Sequence, residues 1–308
     1  LTITKRRLGL SGHCRRRSHN YFRLSVKKYL TLSTIGDINN ISTVILIRMG
    51  FIMFDNANDL LKAIKRNRFT GVILYEGPSA IDGAPVVVIA NRIETASGNA
   101  KTGAMVQTFI IRADVNPYRA LKTGQDESVC GDCPQRPFKG GKCYVDVAKS
   151  VASVYGAYER GRYAKPGVDY DPAILPELFA GRAFRLGTYG DPAAAPFQIW
   201  RAATLRAAKI TGYSHQWRDP RFQAFALLCM ASCETESDQL LASACGWRTF
   251  RAKKAKETRT TTEIGCPAAK ENGARTSCDR CGLCAGNTSA SKRDIVINLH
   301  GFRVGKAA

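Results

Sequence analysis

The chain has 308 residues, 44% of them hydrophobic, which is enough to bury a core in one large domain or two small ones. Its formal net charge of +21 points to a polyanionic partner, most often nucleic acid. The sequence holds no internal repeat, no low-complexity run and no apolar stretch long enough to span a bilayer.

Residues 1–52 differ from the rest. They hold ten Lys or Arg against a single acid, Asp37. The run "KRRLGLSGHCRRRSHNYFRLSVKK" has no clear amphipathic period, and the apolar stretch from Val44 to Phe54 is interrupted by Arg48. It lacks the small-residue cleavage site of a signal peptide. This segment reads as a non-native or disordered basic leader, with the biological start at Met53 or Met49. The rival reading is a basic arm that binds nucleic acid. With no other targeting segment, the expected location is cytoplasmic.

From Met53 the pattern is regular, and residues 53–125 read as a small α/β unit. "NANDLLKAIKR" predicts a helix capped by Asn56 or Asn58. "FTGVILYEG" and "APVVVIANR" predict a hairpin across "PSAIDG", and "AMVQTFIIRAD" a third strand. Residues 126–308 read as a Cys-rich βα domain. "VDVAKSVASVYGAYERGRY" and "ILPELFAG" predict helices, and "AFRLGTYGDP" a strand leaving into a glycine turn. "APFQIWRAATLRAAKI" predicts a helix with Trp200, Leu205 and Ala208 on one face. "TGYSHQW" predicts a short strand, and "RFQAFALLCMASCET" a short helix running into a buried strand. "SDQLLASACG" is read as a helix ended by Gly246, "GWRTFRAKK" and "DIVINLHG" as strands, and "RAKKAKETRTTTE" as an exposed loop. Serial βα units imply an α/β fold with a parallel sheet or a partial barrel.

Eleven cysteines are present, ten of them after residue 129. Without a secretory signal, metal binding is expected rather than a disulfide framework. Cys266, Cys278, Cys281 and Cys284 are spaced C-x11-C-x2-C-x2-C. Four thiolates saturate either a structural zinc or a [4Fe–4S] cluster. Cys130, Cys133 and Cys143 are spaced C-x2-C-x9-C beside Gly140 and Gly141, with no fourth ligand nearby in sequence. They form either an open metal site or one completed by His215, His300 or a C-terminal thiol. Cys229, Cys233 and Cys245 lie in apolar runs without ligand spacing and read as core thiols.

"GTYGDP" ends a strand, where ligands bind in parallel α/β sheets. Asp191 offers a carboxylate there; the plain alternative is a turn in which Pro192 opens a helix. Tyr213, His215, Ser232 and Glu234 end the next two strands. Tyr213, His215 and Glu234 are the candidate catalytic groups, although His215 reads equally well as structural. Tyr155, Tyr158, Tyr163, Trp217 and Trp247 are candidates either for stacking on bases or for packing in the core.

The strings "CGDCPQR…GGKCYV", "RLGTYGDPAAAP", "TGYSHQW", "CPAAKENGARTSCDRCGLC" and "DIVINLHG" resemble the phage gene-product-88 group of uncharacterised phage and prophage proteins, over about residues 106–302. That resemblance implies a bacterial host cell. A more distant resemblance is to radical S-adenosylmethionine enzymes, whose three-cysteine loop follows the first barrel strand. It implies an iron–sulfur cluster at Cys130, Cys133 and Cys143. It further implies cofactor contacts from Tyr144, Gly190, Asp191 and Pro192, with S-adenosylmethionine as cofactor and a nucleic acid or nucleotide as substrate. The spacing departs from the usual CxxxCxxC of that family. The alternative is a zinc-stapled nucleic-acid-binding protein without catalysis.

Overall fold

The computed structural model describes residues 53–95 and 98–299. The basic leader and His300 lie outside the described residues. The described residues belong to one compact unit.

Asn56 caps the helix Ala57–Lys65, its side chain accepting from the Asp59 N–H at 2.9 Å. The expected hairpin forms from β1 (Gly71–Pro78) and β2 (Pro85–Asn91), and β3 (Val106–Arg112) pairs with β2. The next strands are β4 (Tyr163–Ala164), β5 (Ala183–Tyr189), β6 (Lys209–Ser214) and β7 (Met230–Cys233). β8 (Thr249–Lys253), β9 (Glu263–Gly265) and β10 (Asp294–Asn298) complete the set.

All ten strands make one sheet, ordered β4-β1-β2-β3-β5-β6-β7-β8-β10-β9. Only β2 pairs antiparallel with its neighbours, so it alone opposes the other strands. The chain is therefore α/β with a mixed, mostly parallel sheet. Residues of 53–125 and of 126–308 share that sheet through the pairing of β3 with β5. Every residue of β3 is buried, as expected of a central strand covered on both faces.

The two faces of β5 and β6 differ. Phe184 and Leu186 are fully buried in the main core, with Trp200 of the helix Phe197–Thr204. Arg185, paired in register with Thr211, faces the other way. On that side Thr211, Tyr213, Phe250 and Ile295 meet the C-terminal cysteine loop.

Several expectations are corrected. The helix after the glycine turn ends at Thr204, and its buried residues are Trp200, Ala203 and Thr204. Leu205 is 66% exposed and Ala208 is exposed, because β6 already begins at Lys209. The segment after Cys143 is not one helix: a π-type turn at Val147–Val151 breaks at Lys149 (φ −95°, ψ −111°) before Ala152–Glu159. The polar run 251–263 is not an exposed loop at its ends. Arg251 and Glu263 are buried and paired at 2.7 Å across β8 and β9. Cys229 and Cys233 are core thiols, whereas Cys245 is exposed. Tyr155, Tyr163, Trp217 and Trp247 are buried and Tyr158 half-buried, so they pack rather than offer stacking faces.

Candidate functional site

The helix Glu127–Cys130 follows β3 and carries Cys130 in its last turn. Gly131 ends it at φ +59°, where a Cβ would overlap the Gln216 side chain. The chain then folds back on itself as far as Cys143. Gly141 N–H donates to Arg136 O at 2.9 Å, and Cys143 N–H to Gln135 O at 2.8 Å. Arg136, only 2% exposed, holds this loop from inside. Its guanidinium donates to the carbonyls of Gly124 (2.6 Å) and Gly131 (2.9 Å) and pairs with Asp126 at 2.7 Å. Sequence reasoning missed Arg136, since an arginine in a polar loop gives no sign that it turns inward.

The turn after β5 seats on the cysteine helix: Asp191 N–H donates to Val129 O at 2.8 Å. Gly190 sits at φ +86°, and a Cβ there would lie 2.7 Å from Ile110 Cβ and 2.8 Å from Val129 Cγ1. That close approach explains the glycine. Asp191 is buried, and its carboxylate accepts from Ala193 N–H (3.0 Å) and His215 N–H (2.7 Å). Burial raises its pKa, against the pull of those donors. Asp191 thus ties the end of β5 to the end of β6, while Pro192 opens the 3₁₀ turn Pro192–Ala194.

His215 Nε2 lies 3.7 Å from Cys133 Sγ and 2.9 Å from Glu234 Oε1. Burial disfavours its charge, but Cys133 and Glu234 outweigh that and raise its pKa well above the ordinary histidine value. Cys130 has Cys133, Cys143, Asp126 and Asp191 as its electrostatic neighbours. The ends of β5, β6 and β7 and the loop after β3 therefore gather Cys130, Cys133, Cys143, Asp191, His215 and Glu234. The Ser232 carbonyl accepts from the Trp217 indole at 3.0 Å. Tyr213 leaves this group: its ring packs on Phe250 with centroids 4.5 Å apart, facing the other thiols.

Cys266, Cys278, Cys281 and Cys284 line one cavity of about 30 Å³, with Lys101, Tyr213 and Phe250. Backbone bonds fix their positions on separate elements. Cys266 N–H donates to Val296 O (2.9 Å) and Cys278 N–H to Lys101 O (2.8 Å), while Cys284 O accepts from Gly212 N–H (3.1 Å). Burial raises the pKa of Cys266 and Cys278 and pushes Cys284 up to about 12. Among the described residues, no group of three or more His, Cys, Asp or Glu stands close enough together to hold a metal ion.

Guanidinium groups flank both cysteine groups, those of Arg136 and Arg248 buried and that of Arg185 half-buried. Arg248 donates to the carbonyls of Leu283 (2.9 Å), Gly286 (2.8 Å) and Arg293 and shapes the last cysteine turn. Arg185 donates to Tyr144 Oη at 2.8 Å on one side and has Cys278 and Tyr213 as neighbours on the other. Five buried side-chain polar atoms lack a partner among the described residues, and three of them are the Nε atoms of Arg136, Arg185 and Arg248. Buried cations with orphaned donors are costly unless negative charge stands nearby.

Among the described residues no helix is long and apolar enough to cross a membrane. No family model matches the chain, and no curated protein or solved structure matches it either.

Proposed function

We propose that this is a thiolate metalloprotein of radical S-adenosylmethionine-like build, related to the phage gene-product-88 group and acting on nucleic acid or a nucleotide. One observation carries the reading. The three-cysteine loop, the Gly190–Asp191 turn and the His215–Glu234 pair meet where parallel strands end, which is the ligand-binding end of such sheets. A zinc-stapled binding module has no need of that convergence. The order β3-β5-β6-β7-β8-β10 also suits a partial (βα) barrel whose first strand precedes the cysteine loop.

In this reading Cys130, Cys133 and Cys143 hold an iron–sulfur cluster, which when bound supplies low-potential electrons and an open iron. Gly190 lets the turn approach the loop, Asp191 fixes it, and Tyr144 stands beside the last ligand. His215 and Glu234 share a proton at Nε2 on the same rim. The four-thiol cavity is the structural partner site. Four thiols match the ligand set of a structural zinc, which is its proposed occupant.

A second reading has its own support. The 3.7 Å between Cys133 Sγ and His215 Nε2 is close to the ~3.6 Å that two ligands of one tetrahedral zinc keep. His215 would then complete a Cys₃His zinc site.

Anaerobic purification of the full chain, with iron, sulfide and zinc analysis, separates the two. Iron with sulfide and broad absorption near ~400 nm, plus about one zinc per chain, is expected. Colourless protein with about two zincs per chain and no iron ends the radical reading and leaves the Cys₃His one.

A further inference from the structure

Three aromatic side chains are exposed among the described residues: Tyr118, Phe138 and Tyr144, at 51%, 58% and 48%. All three belong to the segment that carries the central cysteines. Phe138 sits at the tip of the loop closed by the Gly141 and Cys143 backbone bonds. Its ring lies over Gly124, where a Cβ would come within 2.8 Å of Phe138 Cε1. Gly124 ends the helix Pro117–Thr123, which presents Tyr118 and contacts the Phe138 turn.

The surroundings are cationic. Arg119, Lys122, Lys139 and Lys142 belong to the same segment, and all four are exposed. Lys122 Nζ stands 4.5 Å from the centroid of the Tyr118 ring. The nearby acids have partners of their own: Asp126 and Glu127 pair with Arg136, and Asp132 accepts from Gln216 Nε2 at 3.0 Å. Exposed aromatics gathered on one segment, and not scattered singly, mark an interaction surface.

We propose that this patch is a docking platform for single-stranded nucleic acid. Phe138 and Tyr118 stack on successive bases, while Arg119, Lys122, Lys139 and Lys142 track the phosphates. Stacking needs unpaired bases, whose faces are open to a ring, and is tolerant of sequence. Tyr144, tethered by Arg185, marks the edge of the platform beside Cys143. The inference deepens the proposed substrate class, a strand rather than a free nucleotide. It rests on the proposed function only for the chemistry after binding.

The test is fluorescence anisotropy of labelled oligo-dT and oligo-U with the full chain, titrated over a range of salt. Affinity is expected to fall steeply with salt, by a log–log slope of about 0.7 per phosphate contact. Phe138→Ala and Tyr118→Ala each weaken binding by about tenfold. Lys139→Gln lowers the salt slope by about one. These side chains are exposed, so the variants keep the fold, and unchanged metal content checks this. Equal binding by Phe138→Ala and the parent, a preference for duplex, or competition by a mononucleotide as strong as by the strand overturns the proposal. Strand binding by a protein without iron keeps the platform and removes the radical reading; iron without strand binding does the reverse.

Discussion

Arg136 and Gly190 hold the cysteine loop against the strand ends, and neither role is visible in the sequence. The two cysteine groups are legible as groups, because their spacing sets the thiols close together along the chain. Gly190 is legible as important but for a different reason. The turn pattern suggests backbone open to a ligand, whereas in the fold Ile110 and Val129 occupy the space a Cβ would take. Arg136 gives no local signal, since inward orientation depends on carbonyls that converge only after folding. Replacing it leaves Asp126, itself buried, as an unpaired carboxylate. Arg136→Met is therefore expected to cost about 3–5 kcal/mol, read from the shift in urea midpoint. A loss below ~1 kcal/mol would mean that the pair behaves as a surface ion pair and that the loop holds itself.

Elements defined by short apolar, β-branched runs between turn residues are the most legible ones. β1, β2, β3, β5, β8 and β10 lie where those runs put them. Elements defined by buried charge are not. The run 251–263 is rich in Lys, Arg, Glu and Thr, and hydropathy makes it a loop, yet Arg251 and Glu263 anchor β8 and β9 on either side of β10. Burial pushes the Glu263 carboxyl up, but Arg251 and the Thr260 N–H, bonded at 2.8 Å, outweigh it and hold its pKa below the usual value. A depressed folded-state pKa gives stability that is present above the unfolded value of ~4.3 and lost as pH falls through the folded one. Glu263→Gln should thus destabilise the protein by about 3 kcal/mol at neutral pH. The gap from the parent should narrow below about pH 4, as tracked by urea unfolding at each pH. A gap independent of pH would show that packing of the side chain matters there and its charge does not.

The whole molecule joins two cysteine groups that are far apart in sequence, and the sheet decides whether they form one centre or two. Spacing alone leaves both arrangements open. In the fold the electrostatic neighbours divide cleanly: Cys130 has Cys133 and Cys143, whereas Cys284 has Cys266, Cys278 and Cys281. Arg185 on β5 stands between them, bonded to Tyr144 beside one group and adjacent to Cys278 of the other. A guanidinium placed between two anionic centres lowers their mutual repulsion and lets both be charged at once. The expected arrangement is two separable metal sites that share a counter-ion but no ligand. Cys133→Ser should remove only the metal of the central loop and Cys281→Ser only that of the C-terminal cavity, with the double variant empty, as measured by metal analysis per chain. Arg185→Met should weaken retention at both sites against a chelator, because each loses the same cation. Loss of all metal from either single cysteine variant, in a protein that still unfolds cooperatively, would instead mean one shared centre. Arg185 would then be a packing residue and not the bridge.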